Sequence, residues 1–402
     1  MRRRIARLLL FLFVLLSLSG CWDARELNQL ALVMAVGIDR DPDTNRYIVT
    51  IQVARPASSR GQQSGGGGAE PVYTASADGD TLFTAIRNLA QFTSRRIMWA
   101  HNNIVVIGES VAKHDITPVV DFFTRNQELR MRTWVVVARD TTAKAIITAK
   151  TGMEDIPANS LSAVLRYAAL PGETLRTDMN ELMDTFLSND QHPVISGVQL
   201  RPGDASPGAG GGTGPTPQVE LRGTAIFNGT RLVGYLESDQ GRGLVWLRKE
   251  MKNAVVAVPC PETDVPLGIT VELRSPKIRL RPTFEGSTPV IQVRVETEGW
   301  LSERDCPFGA ANVSGVKEKI SGWVEDDIRQ SIEATLSSLQ KEFKTDAVKY
   351  GSYFHSEYPD WWAANRERWS ELFPQVKTRI QVSVHISKMG LFVRPPMPTF
   401  PQ

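Results

Sequence analysis

Cysteine and histidine are scarce in this chain, with three and five among 402 residues. Cys260 and Cys306 are too few and too far apart for a zinc or iron–sulfur centre, and His101, His114, His192, His355 and His385 have no ligand spacing. An excess of one charge is also missing. Lys and Arg number 46 against 44 Asp and Glu, a formal net charge of +2, which leaves no basic field for nucleic acid, whose binding draws on phosphate neutralisation. No Gly-x-Ser-x-Gly elbow, His-Glu-x-x-His pair or phosphate loop occurs. Of the histidines His101 is the one worth naming, since it precedes a strand, but a structural role outweighs a catalytic one because no nucleophile or metal partner is in view. Asp326-Asp327 reads as the solvated face of a helix rather than an acid/base pair. These absences exclude the common enzymatic chemistries, and no catalytic residue, metal or cofactor is expected.

What is present begins with a leader. Arg2, Arg3, Arg4 and Arg7 surround the start of an uncharged run, Leu8–Leu18, of eleven residues. That is short of the roughly 20 apolar residues a transmembrane helix needs and suits a secretory signal. The run ends in Leu18-Ser19-Gly20-Cys21, a lipobox. Small residues let the backbone enter a peptidase cleft, and the Cys21 thiolate is the nucleophile that takes a diacylglyceryl group as a thioether. The expectation is a signal peptide over 1–20 and a mature chain anchored through Cys21 on the outer face of a membrane. Trp22, Asp23, Arg25 and Glu26 follow at once and do not form a plain flexible tether. Either they pack on the body, with Asp23 and Arg25 or Glu26 pairing, or they contact a partner at the membrane surface.

Behind the anchor, 42% hydrophobic and 22% charged residues match a folded chain, and the length suggests two or three domains. Apolar periodicity predicts strands over Leu30–Ile38 and Tyr47–Ala54 as a hairpin, then a strand Val72–Ala77. A helix is expected within Asp80–Thr93, capped by Asp78 or Asp80. Strands Asn103–Gly108 and Thr133–Ala138 alternate with helices Ile116–Phe123 and Thr141–Ala149, completing an N-terminal α/β domain over 21–150. A middle α/β domain, 151–262, is predicted to hold helices Ala158–Ala169 and Met179–Leu187 and a strand Val194–Leu200. It continues with a hairpin of Val219–Phe227 and Arg231–Leu236 and a short helix Asp239–Trp246. The remainder, 263–395, pairs long strands Gly268–Arg281 and Val290–Leu301 with an amphipathic helix from Val316 to Phe343, about eight turns. That helix packs on the sheet or, on the sharper reading, offers a coiled-coil or partner face. A final antiparallel strand, Thr378–Ile386, and a Pro-rich tail, 396–402, close the chain. The fold class is therefore α+β: three consecutive mixed α/β domains, the last an antiparallel sheet packed by one long amphipathic helix.

Three features keep alternatives open. Glycine-rich stretches at Ser58–Glu70 and Pro202–Pro217 lack phosphate-loop and dinucleotide spacing and read as insertions. Cys260 and Cys306 flank prolines at strand ends and either form a disulfide or stay as thiols. Tyr350, Tyr353, Phe354, Tyr358, Trp361, Trp362 and Trp369 crowd one stretch, as the core edge that seats the long helix, a protein interface or a carbohydrate platform.

The opening Gly20-Cys21-Trp22-Asp23-Ala24-Arg25-Glu26-Leu27, followed by Gly37-Ile38-Asp39, resembles the Ger(x)C family, the lipoprotein C subunits of spore germinant receptors. His101-Asn102-Asn103 through Glu109 and Arg125-Asn126-Gln127-Glu128-Leu129-Arg130 are similar to its N-terminal region. Gly223-Thr224-Ala225-Ile226-Phe227, with Trp361, Asn365, Trp369 and Phe373, is similar to its C-terminal region. The resemblance implies three α/β-type domains of different folds and assembly with membrane-embedded A and B subunits in the spore inner membrane. It also implies a role without known enzymatic activity, and leaves open whether a small-molecule germinant touches this subunit. The alternative is a solute- or wall-binding lipoprotein unrelated to germination.

Overall fold

The computed structural model describes residues 3–5, 29–55, 70–149, 154–167, 172–188, 190–203, 217–259, 268–304 and 313–388. Cys21, Trp22, Asp23, Arg25, Glu26, Cys260 and Cys306 lie outside them.

Strands β1 (Leu30–Arg40), β2 (Tyr47–Ala54), β3 (Val72–Gly79), β4 (Arg96–Met98), β5 (Ile104–Gly108), β6 (Trp134–Ala138), β7 (Thr177–Asp178), β8 (Val194–Arg201), β9 (Gln218–Asn228) and β10 (Arg231–Leu236) share one ten-stranded sheet. Its path is β10-β9-β8-β6-β5-β1-β2-β3, with β4 on β1 and β7 on β6. The middle is parallel, since β1, β5, β6 and β8 pair in that sense, and both flanks are antiparallel. Parallel strands need cover on both faces, which explains why all five residues of β5 are buried.

One face packs α1 (Leu82–Leu89), α2 (Glu109–His114), α3 (Thr117–Arg125) and, beyond the intervening α4 (Ala143–Thr148) and α5 (Pro157–Tyr167), α6 (Met179–Leu187). The other face packs α4 and α5 through Ile146, Ile147, Leu161 and Leu165. The cap of α1 differs from expectation: Thr81 accepts from Thr84 N at 3.1 Å, while Asp78 and Asp80 both pair with Arg46.

Strands β6 and β8 pair directly across the region of residue 150. Buried Gln52 adds a second tie, donating to Ile147 O at 2.6 Å and accepting from Ala158 N at 3.0 Å. The sheet is thus continuous through both expected N-terminal units.

A second sheet has the order β11-β12-β13-β14, from β11 (Asn253–Pro259), β12 (Gly268–Glu285), β13 (Thr288–Arg304) and β14 (Lys377–Lys388). Between the two sheets runs α7 (Ser238–Leu247), and between β13 and β14 runs α8 (Val313–Ser337), extended by a π turn at Ser338–Glu342. Val316, Ile320, Val324, Ile328 and Ile332 recur at four-residue steps and are buried on the sheet. Here the structure corrects one expectation. Strand β14 pairs parallel with β13, Val293 opposite Ile380 and Val295 opposite Val382, so the last sheet is mixed. The crossover helix carries the chain back to the end where β13 began, and a strand entered from there runs parallel.

The aromatic stretch is core. Helices α9 (Tyr350–Glu357), α10 (Pro359–Asn365) and α11 (Trp369–Leu372) bury Tyr350, Phe354, Trp362 and Trp369, with Phe284 of β12 at 5.6 Å from Phe354. Edge-to-face contacts such as Trp362–Trp369, at 5.2 Å and 67°, are the arrangement aromatic quadrupoles favour.

Candidate functional site

The richest chemistry among the described residues lies where the two sheets meet. Helix α7 is buried over its second half, with Leu244, Trp246 and Leu247 fully so. It seats closely because it carries glycines on both sides. A methyl at Gly241 would overlap the Glu173 carbonyl, and one at Gly243 would overlap Thr335 Oγ1 and the Ser331 carbonyl of α8. Arg242, between them, reaches Glu173 Oε1 at 3.3 Å and Asp327 Oδ2 at 3.6 Å. Asp327 is therefore not on a solvated face: burial raises its carboxyl above the ordinary 3.8, against the pull of Arg242.

Past the end of α7, the Arg248 side chain is only 2% exposed. Its Nη2 donates to Glu181 Oε1 of α6 at 2.8 Å, its Nη1 donates to Ala347 O at 3.3 Å, and its Nε lies 3.5 Å from Glu250 Oε1. Lys349, at a left-handed φ of 62°, brings its Nζ to 4.0 Å from the same Glu181 oxygen. Burial raises the Glu250 carboxyl and lowers the Lys349 ammonium, the latter with help from Arg248. One step further, Asp346 accepts from Tyr350 N at 3.0 Å, Gly351 N at 2.7 Å and Trp369 Nε1 at 2.9 Å. Desolvation pushes its carboxyl up to about 6 even so, the N–H donors offsetting only part of the effect.

Against this junction opens a cleft of about 310 Å³, lined by Thr174, Arg176, Lys249, Glu250, Met251 and Lys252 among others. Its lining carries the charged groups Arg176, Lys249, Glu250 and Lys252, and none of its residues is a nucleophile paired with a base. A second groove, of about 390 Å³, crosses the outer face of the second sheet. Among the described residues no group of three or more His, Cys, Asp or Glu is placed to hold a metal ion, and no helix is long and apolar enough to cross a membrane.

The residues singled out in the sequence resolve differently. His101 is exposed on the turn before β5, beside buried Asn102. His192 Nδ1 accepts from Gly229 N at 2.9 Å, and burial lowers its pKa. His355 pairs with Asp190 at 3.2 Å. Asp39 serves the fold, since its two oxygens accept from Ala143 N at 2.8 Å and Lys144 N at 2.9 Å and so cap α4. Gly108 must lack a side chain there, because a Cβ would overlap Asp39 Oδ1. Sequence reading missed the Arg248–Glu181–Lys349 group entirely, and no local pattern marks it, since its members lie on separate elements.

Residues 23–200 match the family described as "Spore germination protein N-terminal domain", and residues 222–390 match "Spore germination B3/ GerAC like, C-terminal". The chain belongs to the Ger(x)C family. Among its relatives, "Spore germination protein KC" of Bacillus subtilis (strain 168) is 29% identical over 401 residues, covering 97% of each chain. "Spore germination protein B3" of the same organism is 24% identical over 382 residues, covering 94% of this chain and 96% of the relative. The crystal structure of the GerBC protein covers 88% of this chain and 96% of its own, with a TM-score of 0.55 at 20% identity, a likeness of fold. Within the Ger(x)C pattern, Gly37, Asp39 and Gly108 thus hold β1, β5 and α4 together, and Trp361, Trp369 and Phe373 belong to the second core.

Proposed function

We propose that this chain is the lipid-anchored C subunit of a nutrient-responding spore germinant receptor, acting by contact with membrane-embedded A and B subunits and not by catalysis. The observation that carries the reading is the order of the two germination-protein matches, 23–200 then 222–390, directly behind the lipobox cysteine Cys21. The relatives' names support the process, and the lipobox supports the anchor on the outer face of the spore inner membrane. In this reading Trp22, Asp23, Arg25 and Glu26 sit between the lipid and β1, at the membrane surface, where they pack on the body or touch a partner. A diacylglyceryl anchor confines the body to a plane and raises its effective concentration near partners there.

Two measurements test it. Metabolic labelling with a fatty-acid analogue should mark the wild-type protein and leave Cys21→Ala unmarked; equal labelling of both would refute the anchor. Deleting the gene should abolish the response to particular nutrients and spare germination by agents that bypass receptors. A normal nutrient response in a strain with no related copy overturns the receptor reading and favours a solute- or wall-binding lipoprotein.

A further inference from the structure

We infer that the outer face of the second sheet is a docking surface for an extended acidic segment of a protein partner. The inference starts from a bulge. Before it, Ile269, Val271 and Leu273 of β12 point into the core; after it, Leu280 and Pro282 do. The register slips between Arg274 and Lys277, with Ser275 at a φ of 53°. One extra residue exchanges the inward and outward positions of a strand. Lys277, Arg279 and Arg281 are thereby all turned to solvent while the inner face stays apolar.

The neighbouring strands meet them with more positive charge. Arg279 lies directly opposite Arg294, and Arg281 opposite Gln292, which in turn faces Arg379 of β14. Like charges placed opposite one another across a ladder disfavour the sheet. The groove of about 390 Å³ runs among these four arginines, with Gln292 and Gln381 in its floor. Arg294 donates to Gln381 Oε1 at 3.2 Å, and no carboxylate forms an ion pair with Arg279, Arg281 or Arg294 among the described residues. The acidic groups of this face stand at its margins: Glu285 at the hairpin end, paired with Arg379 and Lys377, and Glu296 and Glu298 toward the bulge.

Several exposed arginines elsewhere have carboxylate partners, as in Arg46 with Asp80, Arg96 with Glu128 and Arg125 with Asp121. Even at the other end of this face, Arg274 pairs with Glu272 and stacks at 3.9 Å on Trp300. A cluster of unneutralised arginines in a chain of near-neutral total charge is thus local and built by a register shift. Its chemistry selects the occupant. Guanidinium forks take carboxylates in bidentate pairs, and Arg279 and Arg281, two residues apart on one strand, match side chains two apart on an extended peptide. No large exposed apolar side chain lies in the patch to enter a bilayer, since Val255, the exposed one on this sheet, sits on β11. An acidic peptide therefore fits better than a lipid surface.

The test uses purified full-length protein in detergent, so it does not depend on the receptor reading, and its failure leaves the germination and labelling experiments untouched. Binding of a synthetic peptide of alternating Glu and Ser is measured by fluorescence anisotropy, beside phosphatidylglycerol vesicles as a second arm. The wild type should bind the peptide in a salt-sensitive manner. The double variant Arg279→Glu, Arg294→Glu should bind about tenfold or more weakly, as should the neutral pair Arg279→Gln, Arg294→Gln, which guards against a folding defect. The control Arg125→Glu, Arg368→Glu, on other surfaces, should bind as the wild type does. No peptide binding by the wild type, equal loss in the control, or binding to vesicles alone would each overturn the inference.

Discussion

Replacing Gly243 by alanine sets two opposed effects against each other, and the structure decides the sign. In a helix interior glycine is worse than alanine by about 1 kcal/mol, so propensity alone predicts a stabilised protein. Position 243, however, faces α8 at close range. A methyl there would overlap Thr335 Oγ1 and the Ser331 carbonyl oxygen and come to 2.6 Å from Ser331 C. Two of those three atoms are helix backbone and cannot rotate away. The third is held as well, since Thr335 Oγ1 lies 2.6 Å from Gln240 O and 2.8 Å from Ser331 O and shares its one proton between these two carbonyls. Relief requires α7 and α8 to move apart and the Thr335–Gln240 bond to break. Forcing an extra methyl into a packed core costs about 1–3 kcal/mol, with about 1 more for a lost buried hydrogen bond. The net expectation for Gly243→Ala is a loss of about 2 kcal/mol. Gly322 on α8 is the internal control, because nothing lies within 4 Å of the Cβ it would gain. Gly322→Ala should gain up to about 1 kcal/mol. Urea midpoints followed by tryptophan fluorescence and far-UV circular dichroism measure both. If Gly243→Ala proves as stable as the wild type, the close helix contact at the junction is wrong.

Arg248→Ala strands the Glu181 carboxylate and should cost about 3 kcal/mol, at the low end for a buried pair broken on one side because Glu181 retains some water; a change under about 0.5 kcal/mol in thermal or urea unfolding contradicts a buried bridge there. Asp346, pushed up to about 6 from an ordinary 3.8, binds its proton more tightly folded than unfolded. Its contribution to stability is therefore fully present below about pH 4 and is lost as pH rises through about 6, by about 3 kcal/mol at 1.36 kcal/mol per pKa unit. Subtracting the stability curve of Asp346→Asn from that of the wild type between about pH 4 and 7 should expose that fall, whereas a flat difference contradicts it. Cys260 and Cys306, if bridged, close a loop worth roughly 3–4 kcal/mol; mass spectrometry of non-reduced peptides should recover them linked, and two alkylatable thiols in protein from its native compartment exclude the bridge.

Much of the secondary structure was legible locally. The runs Leu30–Arg40 and Tyr47–Ala54, the hairpin around Gly229, and the four-residue steps of Val316 to Ile332 announce their elements because periodicity is a short-range property of the chain. What the sequence did not disclose depends on which distant segment each element meets. The direction of β14 follows from the crossover helix before it, and alternation of Ile380, Val382, Val384 and Ile386 reads the same for parallel and antiparallel pairing. Asp326-Asp327 looked like one solvated pair until Arg242, from another helix, drew Asp327 into the junction. Arg279 and Arg294 stand on the two arms of one hairpin and become neighbours only through its register, and their shared exposure needs the extra residue near Ser275. Local pattern thus determined most of the elements. Tertiary structure decided strand direction, the buried charges between the sheets and the basic outer face, because pairing and burial are long-range and each charge takes its energy from what it is packed against.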